Sequence, residues 1–250
     1  MFDTASRLHH FFTAGAPRPV TEKDFAMRRY LLTGFTLALF VAPASALPPS
    51  NEKTLEHASE VLDELNKIPL KGIPAGLLAE AQGVAIIPRV IKAGFVVGGR
   101  GGHGIVMAKD KDGNWGDPVF IDLGGASVGF QAGVESTDVV LVFRSRKSLD
   151  RLLEGKGKVT LGADAAVAAG PVGRMAAAGT DAKLEAEIVS YSRSRGLFAG
   201  VSLDGAVVHA NENSNAMFRK PGLTVEKKLS DGVKIRLIEM SKEKPVVVRP

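Results

Sequence analysis

The chain reads as an α+β protein, a curved, mainly antiparallel sheet or sandwich with flanking helices. Two observations carry that prediction. Short apolar or alternating runs rich in Val, Ile and Phe (GVAIIP, GFVVGG, GIVMAK, PVFIDLGG, ASVGFQAG, DVVLVF) follow one another with only Gly, Asp or Asn as punctuation, which marks a meander and not βαβ repeats. Glycine is abundant, 28 in 250 residues, and much of it sits inside these runs, where it weakens a strand unless another backbone, a bend or a ligand comes close. The sheet is therefore expected to curve sharply or pack tightly on itself.

Along the chain, residues 1–46 read as an address. Met27 precedes Arg28 and Arg29, the apolar run YLLTGFTLALFVA follows, and Ala44-Ser45-Ala46 forms a small-residue cleavage site, so a secretory signal peptide ending at Ala46 is expected. Pro43 closes the run well short of the roughly 20 apolar residues that span a bilayer. Met1 and Met27 are alternative starts. Removal of the leader takes five basic and three acidic residues with it and leaves a net charge of +3, mild enough to require no nucleic acid. Aromatics at 6% with one Trp also argue against a base-stacking platform. No cysteine is present, so an exported chain has to rely on its core rather than on disulfides.

Residues 47–220 form the expected domain. Ser50 or Asn51 caps an amphipathic helix whose Leu55, Ala58, Leu62 and Leu65 recur at three- and four-residue spacing, a stripe expected to dock on the body of the protein. A short helix follows Pro74. KDKDGNW places an Asp-Gly turn between two strand-like runs and predicts a hairpin. Ser145 or Ser148 caps a helix carrying Leu149, Leu152 and Leu153. KVTLGADAAVAAGPV, EAEIVSYSRS and GLFAGVSLDGAVV resume the strands, and Asn211 to Phe218 reads as helix. Residues 221–250 are charged and are expected as a peripheral strand pair or a loose tail.

Several motifs imitate chemistry. GRGGHG (Gly99–Gly104) matches a dinucleotide-binding turn, but Ile105 to Lys109 continue as strand and no helix N-terminus opens to receive a phosphate, so a glycine turn between strands is expected. Gly125-Ala126-Ser127-Val128-Gly129 matches a nucleophile elbow, with Asp164 and His209 in the order a serine hydrolase needs, yet Phe130 to Val134 do not read as helix. His57, His103 and His209 are scattered, and Asp110, Asp112 and Asn114 lack the glycine and glutamate positions of a calcium loop, so no metal and no cofactor is expected. Asp164 lies in a small-residue stretch and needs a partner; a turn cap or a pair with Arg174 is expected, a ligand contact of the two being the alternative.

The blocks GVAIIPRVIKAGFVVGGRGGHGIVMAK, DPVFIDLGGASVGFQAGVESTDVVLVF, KVTLGADAAVAAGPVGR and YSRSRGLFAGVSLDGAVV, in this order, closely resemble the SYLF domain over about residues 52–220. The resemblance implies a non-enzymatic lipid-binding module whose eukaryotic relatives bind phosphoinositides and, in fungi, actin. It places lipid contact on the segment from Glu52 to Lys71 and on Lys67, Lys71, Arg89 and Lys92. Arg100 and His103, in the glycine motif, join them as candidate headgroup contacts.

The expected function is thus an exported, periplasmic or secreted protein, peripheral to a membrane and attached to anionic phospholipid. Actin is set aside as a partner because the leader directs the chain away from it. A structural envelope protein with a protein partner is the alternative, and a hydrolase using Ser127 the more remote one.

Overall fold

The computed structural model describes residues 49–67, 73–154, 157–170, 186–194, 197–200 and 203–242, with the side chains of 95–97, 127–133, 197, 198 and 200 left aside. Everything expected of residues 1–46, including cleavage after Ala46, lies outside the described residues, as do Lys71 and Arg174.

The described elements run α1 (Asn51–Lys67), α2 (Ala75–Glu80), β1 (Gly83–Ala108), β2 (Val119–Phe143), α3 (Arg146–Leu153), β3 (Lys158–Thr160), β4 (Val167–Ala169), β5 (Ile188–Ser194), β6 (Leu197–Gly200), β7 (Val207–Ala210), α4 (Glu212–Phe218) and α5 (Thr224–Ser241). The sheet is a curled half-barrel, and the α+β expectation holds. β2 pairs antiparallel with β1 along nearly its whole length and, on its other edge, with β5 at one end and β7 at the other. β3 extends the sheet from β7, and β6 and β4 pair with β5, β4 alone running parallel.

The separate short strands expected from the sequence are in fact two very long ones. A straight 26-residue strand would measure about 85 Å, several times the ~16 Å radius of gyration of a 200-residue domain. It must bend, and it does so at two register shifts, between Ile87 and Val90 and between Gly94 and Val96. Arg89 sits in the first irregularity with φ +52°, a left-handed backbone rare for a side-chain-bearing residue. Past the bends β1 returns alongside itself. Lys109 N–H donates to the Gln82 carbonyl at 2.9 Å, and a Cβ at Gly104 would stand 2.3 Å from the Ile86 carbonyl oxygen. GRGGHG is therefore not a turn. It is strand interior, and Gly102 and Gly104 are where the two halves of one strand touch. The packing of the sheet on itself, expected from glycine content, takes this form.

The turn lies where KDKDGNW predicts it. Lys109 bridges Trp115, Asp110 accepts from the N–H groups of Asp112 and Asn114 at 2.9 and 2.8 Å, and Gly113 takes φ +82°.

Both faces of the sheet are covered, which is why its runs read as continuously apolar. Val84, Ile86, Ile105, Met107, Phe120, Val140 and Val142 meet α1, α2 and α5, while Ala85, Ile87, Val106, Ile121, Leu141 and Phe143 meet α3 and the β3–β7 edge. The stripe of α1 docks on the body as expected: Leu55, Ala58, Leu62 and Leu65 are fully buried. Ser50 Oγ accepts from Lys53 N–H at its N-terminus, and Ser145 and Asn211 cap α3 and α4.

Residues 224–241 correct an expectation. They form neither strands nor a loose tail but an 18-residue helix, α5, with Val233, Leu237 and Met240 buried against the α1 side of the core. Its apolar residues are divided between two faces, since Val225, Ile235 and Ile238 are exposed, and no single stripe at helical period stands out.

Candidate functional site

Three polar regions stand out among the described residues; the first is closed by its own pairings, and in the second His103 is paired at Nδ1 while its buried Nε2 has no partner among the described residues. A cleft of about 370 Å³ lies between α1, β1, β2 and β5. The left-handed turn at Arg89 points its N–H at Asp138, which accepts at 2.9 Å. Asp138 also pairs with Arg193, at 2.6 Å, and Arg193 reaches Glu64 of α1. Burial pushes Asp138 above the ordinary carboxylate value, only partly offset by the Arg89 N–H. Arg89 itself reaches Glu60 at 4.0 Å with most of its side chain in solvent. The cleft is a fastening for α1: its charges are already matched.

The second region is on the α1 side of the sheet, where β1, β2 and β7 lie adjacent. Registers His103–Asp122 and Asp122–His209 align the three residues across the strands. His103 Nδ1–H donates to Asp122 Oδ1 at 2.6 Å and Asn211 Nδ2 to Oδ2 at 2.8 Å. Burial acts to raise Asp122, but these two hydrogen bonds and the nearby imidazoles more than offset it and hold its carboxyl below the ordinary value. His103 is 7% exposed, stacked on Phe120, and so is neither a solvated turn residue nor presented to a membrane surface.

The positions of the suspected hydrolase do not converge. Ser127 pairs with Gly98, five residues along β2 from the Asp122–His209 register, or about 17 Å. Asp164 accepts from Thr160 N–H at 2.7 Å and faces Arg151 at 3.6 Å on the surface. It is a turn cap, and its pairing within the described residues is with Arg151, while Arg174 lies outside them. No group of three His, Asp or Glu suited to a metal occurs among the described residues.

Of the expected lipid contacts, Lys67 and Lys92 are exposed and Arg100 is half-buried with its Nε unpartnered among the described residues.

The third region was missed by sequence reading. Where α4 ends and α5 begins, Arg219, Lys220, Lys227 and Lys228 are all exposed, and none makes an ion pair among the described residues. Ile235 is exposed and lines a surface pocket with Lys227 and Lys228, and Met217 and Val225 are exposed on the same helices. The corner is rigidly held. Asn215 accepts from the Phe120 N–H (2.7 Å) and donates to its carbonyl (2.9 Å), as a neighbouring strand would. Phe218 packs on Phe120 with ring centroids 5.4 Å apart, and Gly222 turns the chain at φ +97°. Two of the nearby acids are paired: Lys234 Nζ donates to Asp117 at 2.8 Å and to Asp231 at 3.3 Å. Burial works to lower Lys234, but both acids more than offset it and hold its pKa up. The signal was present in RKPG and EKK, but it required knowing that a helix runs through the second.

Fold and surface together define an α+β domain built on one doubled-back hairpin, with a basic, apolar-edged corner. Residues 124–243 match the family described as "Ysc84: Las17-binding protein actin regulator". The SH3 domain-containing YSC84-like protein 1 of Homo sapiens is 40% identical over 176 residues, covering 68% of this chain and 51% of that protein. The Bos taurus protein of the same name is 39% identical over the same coverage, and Protein YSC84 of Saccharomyces cerevisiae is 40% identical over 165 residues, 65% of this chain and 35% of that one. The chain belongs to the Ysc84, or SYLF, family. It spans about half the length of the mammalian relatives it matches. No solved structure matches.

The family corrects one expectation, the setting aside of actin. That step argued from the leader, yet partner competence belongs to the folded surface, and the surface residues lie in a stretch matched to an actin regulator.

Proposed function

We propose that this chain is an exported, non-enzymatic binding protein that docks on anionic phospholipid surfaces. The observation that supports the reading is the α4–α5 corner, where Arg219, Lys220, Lys227 and Lys228 are exposed with no ion pair among the described residues, Ile235 shares a surface pocket with Lys227 and Lys228, and Met217 and Val225 are exposed on the same two helices. Each Lys or Arg near an anionic surface contributes about 1 kcal/mol, and the apolar side chains add the insertion that charge alone does not provide. The stripe of α1 is unavailable for that purpose while it remains buried beneath α5 and on β1.

The test is sedimentation of the chain, from Pro48 on, with vesicles of phosphatidylglycerol and phosphatidylcholine against vesicles of phosphatidylcholine alone. Binding is expected to the anionic vesicles and to weaken steeply as salt rises. Absence of binding at low salt would remove the reading.

A second reading follows from the family description: the same corner, which lies inside residues 124–243, contacts an actin-regulatory protein or actin itself. Co-sedimentation with filamentous actin in the absence of vesicle binding would favour it.

A further inference from the structure

Beneath the basic corner lies a half-enclosed pocket of about 490 Å³, walled by the start of β2, the end of α4 and the beginning of α5. We infer that it holds a single anionic phospholipid, the headgroup against Arg219, Lys220 and Lys227 and one acyl chain along Pro118, Val119 and Phe218. The inference rests on the surface-binding reading above and goes further, from contact with a bilayer to removal of one chain from it.

The volume lies within the range of pockets that enclose small ligands. Its lining combines two chemistries. Pro118 is buried and Val119 and Phe218 are half-buried, an apolar part of the wall. Arg219, Lys220 and Lys227 belong to the same lining, all three exposed and without a carboxylate partner among the described residues. Asp117, the acid in the lining, is neutralised by Lys234 at 2.8 Å. Three cations in one lining against a single, already paired acid give it a net positive charge. The wall is preformed, because Asn215 clamps α4 to the Phe120 backbone and the Phe120–Phe218 contact fixes the Phe218 ring in the lining. A preformed pocket loses little ordering entropy on binding. A ligand with one anionic head and one apolar chain matches both parts of this lining at once; a free phosphate matches only one.

The experiment titrates the chain from Pro48 on with dihexanoylphosphatidylglycerol below its micelle concentration, followed by calorimetry, with glycerol phosphate and dihexanoylphosphatidylcholine as controls. Saturable binding of the phosphatidylglycerol alone is expected. Leu223→Trp, which fills the pocket from its α5 side, is expected to weaken it by about tenfold or more, the equivalent of roughly two buried methylenes, while vesicle sedimentation at low salt persists. Lys227→Glu, on an exposed side chain and harmless to the fold, is expected to weaken both. Equal binding of glycerol phosphate or of the phosphatidylcholine, or an unchanged Leu223→Trp that melts as the parent does, would overturn the inference. Vesicle binding without any binding of the dispersed lipid would overturn it while sparing the surface reading; loss of both would remove that reading as well.

Discussion

Gly102 and Gly104 share a motif with Gly99 and Gly101 but not a role. A Cβ at Gly104 would meet the Ile86 carbonyl at 2.3 Å and one at Gly102 the Val90 side chain at 2.8 Å, whereas at Gly99 and Gly101 the nearest atoms are 4.0 and 3.8 Å away. Gly104→Ala is expected to cost about 3 kcal/mol through forced separation of the two halves of β1, and Gly101→Ala less than about 1 kcal/mol. Urea midpoints of the two variants decide the matter; equal losses would mean that the close approach is not what the glycines serve. The same scale explains His103. Its place in a glycine-rich string suggests solvent, but strand alternation turns it to the face of Ile105 and Met107, where Asp122 meets it across the register.

Between α1 and α5 the fold fastens its two long helices. Leu62 is 1% exposed in the core they share, and Arg236 forms a two-pronged pair with Asp63 at 2.7 and 2.9 Å. Leu62→Ala is expected to destabilise by about 3 kcal/mol through the cavity it leaves, and Asp63→Asn by no more than about 1 kcal/mol because the pair is partly in solvent. Thermal and urea unfolding of both variants tests the ranking. The difference in legibility between these helices is physical. In α1 Leu55, Ala58, Leu62 and Leu65 mark one face, which periodicity detects; in α5 Val233 and Leu237 point inward while Ile235 and Ile238 point out, and the pattern cancels.

For the domain from Pro48 on, the carboxylates set the response to acid. Asp63 is held below the ordinary value by Arg236, and Asp122 likewise by His103 and Asn211 against its burial. Each is a stronger acid folded than unfolded, so its contribution is complete above about pH 4 and is lost as pH falls through its folded value. Asp138 is raised by burial and acts in the opposite sense, as a partial counterweight. Stability is therefore expected to decline below about pH 4, and Asp122→Asn is expected to be less stable at neutral pH and to show a shallower decline in acid. Urea midpoints from neutral pH downward measure both; an unaltered acid slope in Asp122→Asn would place its effect elsewhere.

The sequence by itself determined the class of the fold, the Asp-Gly hairpin, the capped helices α1, α3 and α4, and the family, because each rests on local signals: side-chain period, turn residues, cap residues, and long runs of matching blocks. What only the tertiary structure decided is non-local. It joined GFVVGG and GRGGHG into one strand folded on itself, made a helix of the charged C-terminal stretch, and drew Arg219, Lys220, Lys227 and Lys228 to one corner over a pocket begun by Pro118. The apolar run Val84–Ile87 looks the same whether one face or both are buried, and a basic residue reads the same whether or not a carboxylate stands opposite it. Those are facts about neighbours distant in sequence, and only the packed chain supplies them.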